Sequence, residues 1–144
     1  MAYFSLGVLT TGTASGAAAW ELRTSANTRA YVQEIGVFLN AATASTFGIG
    51  RPAAIGVTPT TPVDLLPEDS ANPVVAGLVQ SALAWTTGPT VPASFLRRIS
   101  LPATVGMGII WTFPKGLVIP ASSSLVLWNL ALNSAFNAYA VLDY

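Results

Sequence analysis

Residues 115–130 read KGLVIPASSSLVLWNL, and the path of the chain through that corner decides the fold. Pro120 has no N–H to give a β-ladder, so the first apolar run, Leu117–Ile119, has to stop there. The small polar residues that follow suit a tight turn. The next run, LVLWNL at 125–130, is apolar at consecutive positions, whereas a strand with one wet face alternates. A strand that is apolar on both sides belongs between two layers. The stretch therefore predicts a strand, a corner and a buried strand, with the chain leaving one sheet for another at the corner.

Along the rest of the chain Val, Ile, Thr and aromatic residues recur, and Gly or Pro interrupts every run, which favours β-structure throughout. Strands are expected near 2–10, 17–23, 28–40, 45–51, 77–85, 94–101, 106–113, 116–119, 124–132 and 136–143. In YVQEIGVFLN, alternation puts Tyr31, Gln33, Ile35, Val37 and Leu39 on one face and Val32, Glu34, Gly36 and Phe38 on the other. Both faces are largely apolar, so the strand is central. In AFNAYAVLDY, Phe136, Ala138, Ala140 and Leu142 share one side and Asn137, Tyr139, Val141 and Asp143 the other. Residues 76–85 fit a helical stripe through Leu78, Ala82 and Trp85 or a strand, and the flanking Pro and Gly favour the strand.

The stretch from Gly56 to Pro73 is different, with four of the ten prolines, three of the six acids and no sustained period. It reads as a long, Pro-rich loop or arm over 57–73. Residues 86–92 form a shorter one. The expected architecture is a single all-β domain over 1–144, a β-sandwich or jelly roll.

Charged residues make up 8% of the chain, where soluble domains average roughly 25%. A monomer of 144 residues exposes on the order of 7,000 Å². Twelve charges cover that thinly, so much of the surface is expected to meet other protein. The net charge of zero leaves no basic stripe to neutralise phosphates, which argues against nucleic acid. Pro, Gly, Gln, Ser or Thr breaks each apolar run before it reaches the roughly 20 residues of a membrane span. The chain offers too few strands for a membrane barrel, and no basic segment precedes MAYFSLGVL to suggest a secretory signal.

Histidine and cysteine are both absent, which excludes Ser-His-Asp and Cys-His nucleophiles, disulfides and thiolate metal sites. Lys115 beside Gly116 reads as a strand-edge charge rather than the base of a Ser-Lys pair. Asp64, Glu68 and Asp69 match no calcium-loop spacing and read as a solvated acidic loop. Glu21 and Glu34 could serve as paired carboxylates in glycoside hydrolysis, but each has an Arg within reach along the chain. GIGRPAAIG at 48–56 lacks the Lys of a phosphate loop, so its glycines serve bends or close backbone approach. Trp111 and Trp128 lie in apolar runs and read as core. Trp20 and Trp85, with Tyr3, Tyr31, Tyr139 and Tyr144, are candidates for a sugar-stacking surface. Arg97 and Arg98 point to opposite faces of a strand and make a poor phosphate clamp. No catalytic, metal or cofactor residue is expected, and the chain reads as a non-enzyme.

EIGVFLNAATASTFGIGRPAAIGVTP, VPASFLRRISLPA, GIIWTFPKGLVIPASSSLVLWNL and the closing YAVLDY together resemble a group of small structural proteins of tailed bacteriophages. The likeness runs from about Glu34 to the end and is not a catalytic motif. It implies a β-rich, non-enzymatic virion protein located on the capsid surface. The nearest role is capsid decoration, or cement, by homotrimers bound to the major capsid protein on the outside of the head. A tail or fibre component that grips host glycan through exposed aromatics is the alternative. Low charge, long loops and apolar strands suit the closed cyclic symmetry of a decoration trimer, with its chains intertwined. Interface candidates follow from the chain alone. They are Arg29, Arg51, Arg97 and Arg98, whose forks suit interfaces, and Pro59, Pro62, Leu65 and Leu66 of the presumed arm.

Overall fold

Ser122 adopts a left-handed conformation (φ 53°) just after Pro120, and the chain does change sheets at that corner. The computed structural model describes residues 2–10, 12–131 and 135–144. Their strands are β1 (Tyr3–Thr10), β2 (Ala18–Thr24), β3 (Ala30–Leu39), β4 (Ser45–Gly50), β5 (Val57–Pro59), β6 (Val63–Asp64) and β7 (Leu66–Pro67). There follow β8 (Val79–Ala82), β9 (Trp85–Thr87), β10 (Arg97–Leu101), β11 (Gly108–Ile119), β12 (Ser124–Ala131) and β13 (Phe136–Asp143). The expected end of the strand at 132 lies outside the described residues.

The protein is all-β, a sandwich of antiparallel sheets. One sheet has five strands in the order β11-β3-β13-β1-β7, and the other has six, β10-β4-β12-β2-β8-β6. A two-stranded ribbon, β5-β9, stands apart. Eight strands have five residues or more. Counted first to eighth along the chain, they lie in the order sixth, third, eighth, first in one sheet and fifth, fourth, seventh, second in the other. The chain changes sheet at every step between these eight except from β4 to β10, which are neighbours in the six-stranded sheet. Residues 51–96, between those two, carry all five short strands.

The inward faces of both sheets share one core. β13 supplies Phe136, Ala138, Ala140 and Leu142, β12 supplies Leu125 and Leu127, and Phe47 meets Phe136 edge-on at 4.8 Å between ring centroids. The other side of β12, Val126 and Trp128, joins Ala18 in a second cluster under Trp85, Phe95 and Leu130. The double-sided apolar pattern of LVLWNL is thereby explained, with a sheet beneath it and residues of the 51–96 excursion above.

Three expectations need correction. The presumed arm at 57–73 folds back on its own chain: β5 pairs with β9, β6 with β8 and β7 with β1, and Leu65 is fully buried in the core. Strands of two or three residues carry no period, and prolines tolerated at sheet edges disguised them as loop. Residues 106–113 and 116–119 form one strand, β11, with an irregularity between Thr112 and Leu117 that accommodates Pro114 and Gly116 (φ 73°). In β3 a register shift around Gln33 puts Val32 in the core beside Ile35, Val37 and Leu39, so strict alternation fails there. In the ambiguous 76–85 segment, 76–78 form a turn with Gly77 at φ 75°, and strand occupies Val79–Ala82 (β8) and the start of β9 at Trp85, so no helix forms there.

Candidate interaction surface

The two outer faces of the sandwich differ. That of the six-stranded sheet is covered by its own chain, and a buried carboxylate pins the cover. Glu21 lies on β2 opposite Val126, faces away from the main core and is 0% exposed. It accepts hydrogen bonds from Trp85 Nε1 at 2.6 Å and the Gly56 amide at 3.1 Å, with Arg23 Nη1 3.4 Å away. Arg23 also donates to the Gly56 carbonyl at 3.0 Å. A buried charge has to be paired and hydrogen-bonded to be tolerated, and here β2, β5's approach and β9 supply the partners. The Trp85 ring fits against Gly56, where an added Cβ would come within 2.3 Å of it, and the Phe95 ring packs on Gly48 and Gly50. The glycines of GIGRPAAIG thus permit close approach, as expected.

The outer face of the five-stranded sheet has no such cover among the described residues. Four rows cross it, read from β1 through β13 and β3 to β11: Tyr3–Asp143–Tyr31–Val118, Ser5–Val141–Glu34–Thr112, Gly7–Tyr139–Gly36–Ile110 and Leu9–Asn137–Phe38–Gly108. Tyr3, Leu9 and Ile110 are about half exposed. The Tyr139 ring lies across Gly36 and the Phe38 ring across Gly108, so close that a Cβ would fall 2.1 and 2.3 Å from them. The two rings are nearly parallel, 11° apart, with centroids separated by 6.5 Å. They form adjoining tiles on the sheet, bordered by a shallow groove at Gly7, Leu9 and Asn137.

The Tyr139 hydroxyl donates to Glu34. Burial against the sheet and the Glu34 carboxylate push this phenol up to about 12. Gln33 Nε2 donates to Asp143 at 3.1 Å. This surface can therefore stack flat on another ring or apolar patch, with fixed acceptors at its border.

The expected site residues fall in several places. Trp20, Trp111 and Trp128 are buried, and Trp85 is committed to Glu21, so the indoles are not a sugar-stacking surface; Tyr3, Tyr31 and Tyr139 do share the open face. Glu21 and Glu34 sit on opposite outer faces, with about 10 Å of sandwich between the sheets, and cannot flank one bond. Among the interface candidates Arg29, Arg51, Pro62, Leu66, Arg97 and Arg98 are exposed and Pro59 is half-buried. Leu65 is not available to a neighbour, because its side chain fills the core. Arg97 stacks over Phe113 and Arg98 over Phe95, each 5.6 Å from the ring centroid, on opposite sides of β10 as alternation requires. Phe38, Asn137 and the glycines beneath the tiles were not singled out from the sequence. The signal present was Gly36 inside a strong strand pattern, which marks a close approach.

Set beside known proteins, the chain matches no family model, no curated protein and no solved structure.

Proposed function

We propose that this chain is a non-enzymatic structural protein of a tailed-phage virion, a decoration subunit that binds the outside of the head as a homotrimer and stabilises the lattice of the major capsid protein. The observation that carries the reading is the asymmetry of the faces. The chain spends 46 residues, 51–96, between β4 and β10, much of them covering one sheet, and leaves the other bare with Tyr3, Leu9, Phe38, Ile110 and Tyr139 on it. A face that lays aromatic and apolar side chains open in this way suits docking on another surface. The order of the eight long strands is that expected of a jelly roll, an architecture used in capsid and lectin domains.

Magnitudes favour several copies acting together. Four strands of about eight residues give the open face a footprint of roughly 500 Å². A standard interface takes about 800 Å² from each partner. One copy would bind weakly, and three linked copies gain by effective concentration.

A second reading has its own observation. The Phe38 and Tyr139 tiles, with Glu34 and Asn137 at their border, suit the apolar face and hydroxyls of a sugar, as a host-binding fibre or tail component would need. Immunogold labelling of purified virions separates the two. Label spread over the head, with heads more resistant to heat when the protein is added back, is the expected result. Label confined to the tail tip, with a positive glycan array, transfers the assignment to the second reading. Particles without label overturn both.

A further inference from the structure

The charges of this chain are few and unevenly placed. Of six cations, four lie along one edge of the sandwich, where β10 ends one sheet and β11 the other. Arg51 donates to the Val118 carbonyl on β11 at 3.0 Å, Arg97 and Arg98 lie on β10, and Lys115 is on β11. Arg97 and Lys115 line one groove floored by Phe113, Pro114 and Leu117. The only ion pair among the described residues is Arg23–Glu21, so none of these four cations is neutralised by a carboxylate.

Three of the six acids lie along the opposite edge, on β6 and just beyond β7. Asp64 is partly used, accepting from the Gly77 amide and Gln80 Nε2 at 2.9 Å each. Glu68 and Asp69 are exposed, beside Val63 and Leu66, which are 51% and 54% exposed. Arg29, at the β2–β3 turn, is the one cation outside the basic edge and the Glu21 pair. Four strand spacings in one sheet and five in the other put the two edges about 20 Å or more apart, beyond a Debye length at physiological salt. They cannot satisfy each other within one chain.

We propose that the basic β10–β11 edge of one copy docks against the acidic β6–β7 edge of the next, so that the copies associate head to tail. This rests on the assembly reading above and specifies its contact. A two-fold contact would set basic edge against basic edge and oppose like charges. A head-to-tail contact matches opposite charges, buries Val63 and Leu66 against the Phe113–Leu117 groove, and closes into a ring when the rotation allows. It also covers the free edge strands β10 and β11, whose unpaired backbone groups otherwise invite uncontrolled pairing.

The test uses the full chain in sedimentation velocity at low and high salt. The triple variant Arg97→Glu/Arg98→Glu/Lys115→Glu leaves Arg51 as the one cation on that edge against three new acids, so both edges are acidic, and Glu68→Lys/Asp69→Lys leaves Asp64 against two new cations, so both edges are basic. All five side chains are exposed, so folding should survive, and circular dichroism checks that it does. The wild type should form a closed oligomer whose dissociation constant rises at least tenfold between 50 and 500 mM salt. Each of the two variants should be monomeric at the same concentration, and the variant that combines all five substitutions, with the signs of the edges exchanged, should regain the oligomer. Either single-edge variant keeping the wild-type mass, or a combined variant that stays monomeric, would overturn the edge contact while leaving head labelling unaffected. A wild type that is monomeric at every concentration overturns the contact too, and if it also labels no virion, the decoration reading goes with it.

Discussion

The outer faces of the two sheets face the same problem, an apolar strand surface that water does not favour, and answer it differently. On the six-stranded sheet the answer lies within the chain: Val126 and Trp128 are roofed by Trp85 and Phe95, and Glu21 ties the roof down through Trp85, Gly56 and Arg23. On the five-stranded sheet, Tyr139 and Phe38 only lie down across glycines of the neighbouring strands, and Tyr3, Leu9 and Ile110 are left half exposed. The first face is fixed by a polar network with its partners named. The second mixes exposed apolar and aromatic side chains with the carboxylates of Glu34 and Asp143 and has no roof among the described residues.

The covered face depends most on Glu21. Glu21→Ala strands the Trp85 and Gly56 donors and the Arg23 charge beneath the roof, and removing one partner of a buried pair costs about 3–5 kcal/mol. Urea unfolding should show a loss of that size. A loss below about 1 kcal/mol would mean that the roof is held by packing alone.

Gly36→Ala tests the other face. Its Cβ would come within 2.1 Å of the Tyr139 ring, so the ring must lift off the sheet. Overpacking of this kind costs about 1–3 kcal/mol, and the Tyr139 ring resonances should shift while those of Trp85 stay in place. Trp85→Phe keeps a ring over Gly56 and removes the N–H that reaches Glu21. The expected loss is about 1–2 kcal/mol, and a double-mutant cycle with Glu21→Gln should show coupling that Tyr139→Phe with Glu21→Gln does not.

The smallest effect belongs to Tyr139→Phe, which deletes one exposed-face hydrogen bond and should cost under about 1 kcal/mol. Its signature is the pH dependence. The phenols of Tyr139 and Tyr144 are both pushed up to about 12, by burial first and then by Glu34 and Asp64 respectively. A folded state that holds a phenolic proton more tightly than the unfolded chain keeps that stabilisation below about pH 10 and loses it as pH rises through 12. The urea midpoint should fall over that window, and less steeply in Tyr139→Phe. Ultraviolet titration should find two late-ionising tyrosines in the wild type and one in the variant.

Much of this was legible in the residues. Pro120 with its small polar followers marked the change of sheet, and LVLWNL marked a strand covered on both sides, because a two-layer environment leaves a two-faced apolar pattern in the sequence itself. The alternation of Phe136, Ala138, Ala140 and Leu142 was equally direct. β5, β6 and β7 were not legible, because two or three residues carry no period and their partners are far along the chain. The shift at Gln33 escaped for a related reason: a bulge is set by register against β13, which no single strand encodes. The tiles and the Glu21 pin depend on pairings such as Tyr139 with Gly36 and Glu21 with Trp85, 103 and 64 positions apart. What the sequence does offer for Glu21 is an acid set between Trp20 and Leu22, after Ala18 and Ala19, with Arg23 next on its own face.

One feature of the topology bears on how the protein comes into being. β13 lies in the middle of the five-stranded sheet, joined to β3 on one side and along all eight residues of β1 on the other. Until residues 136–143 have left the ribosome, that sheet exists as two separate pieces, whereas every strand of the six-stranded sheet has already been synthesised. The nascent chain therefore holds part of its core uncovered until β13 arrives, so translation speed through residues 136–143, and any chaperone that shields the waiting surface, should govern its yield.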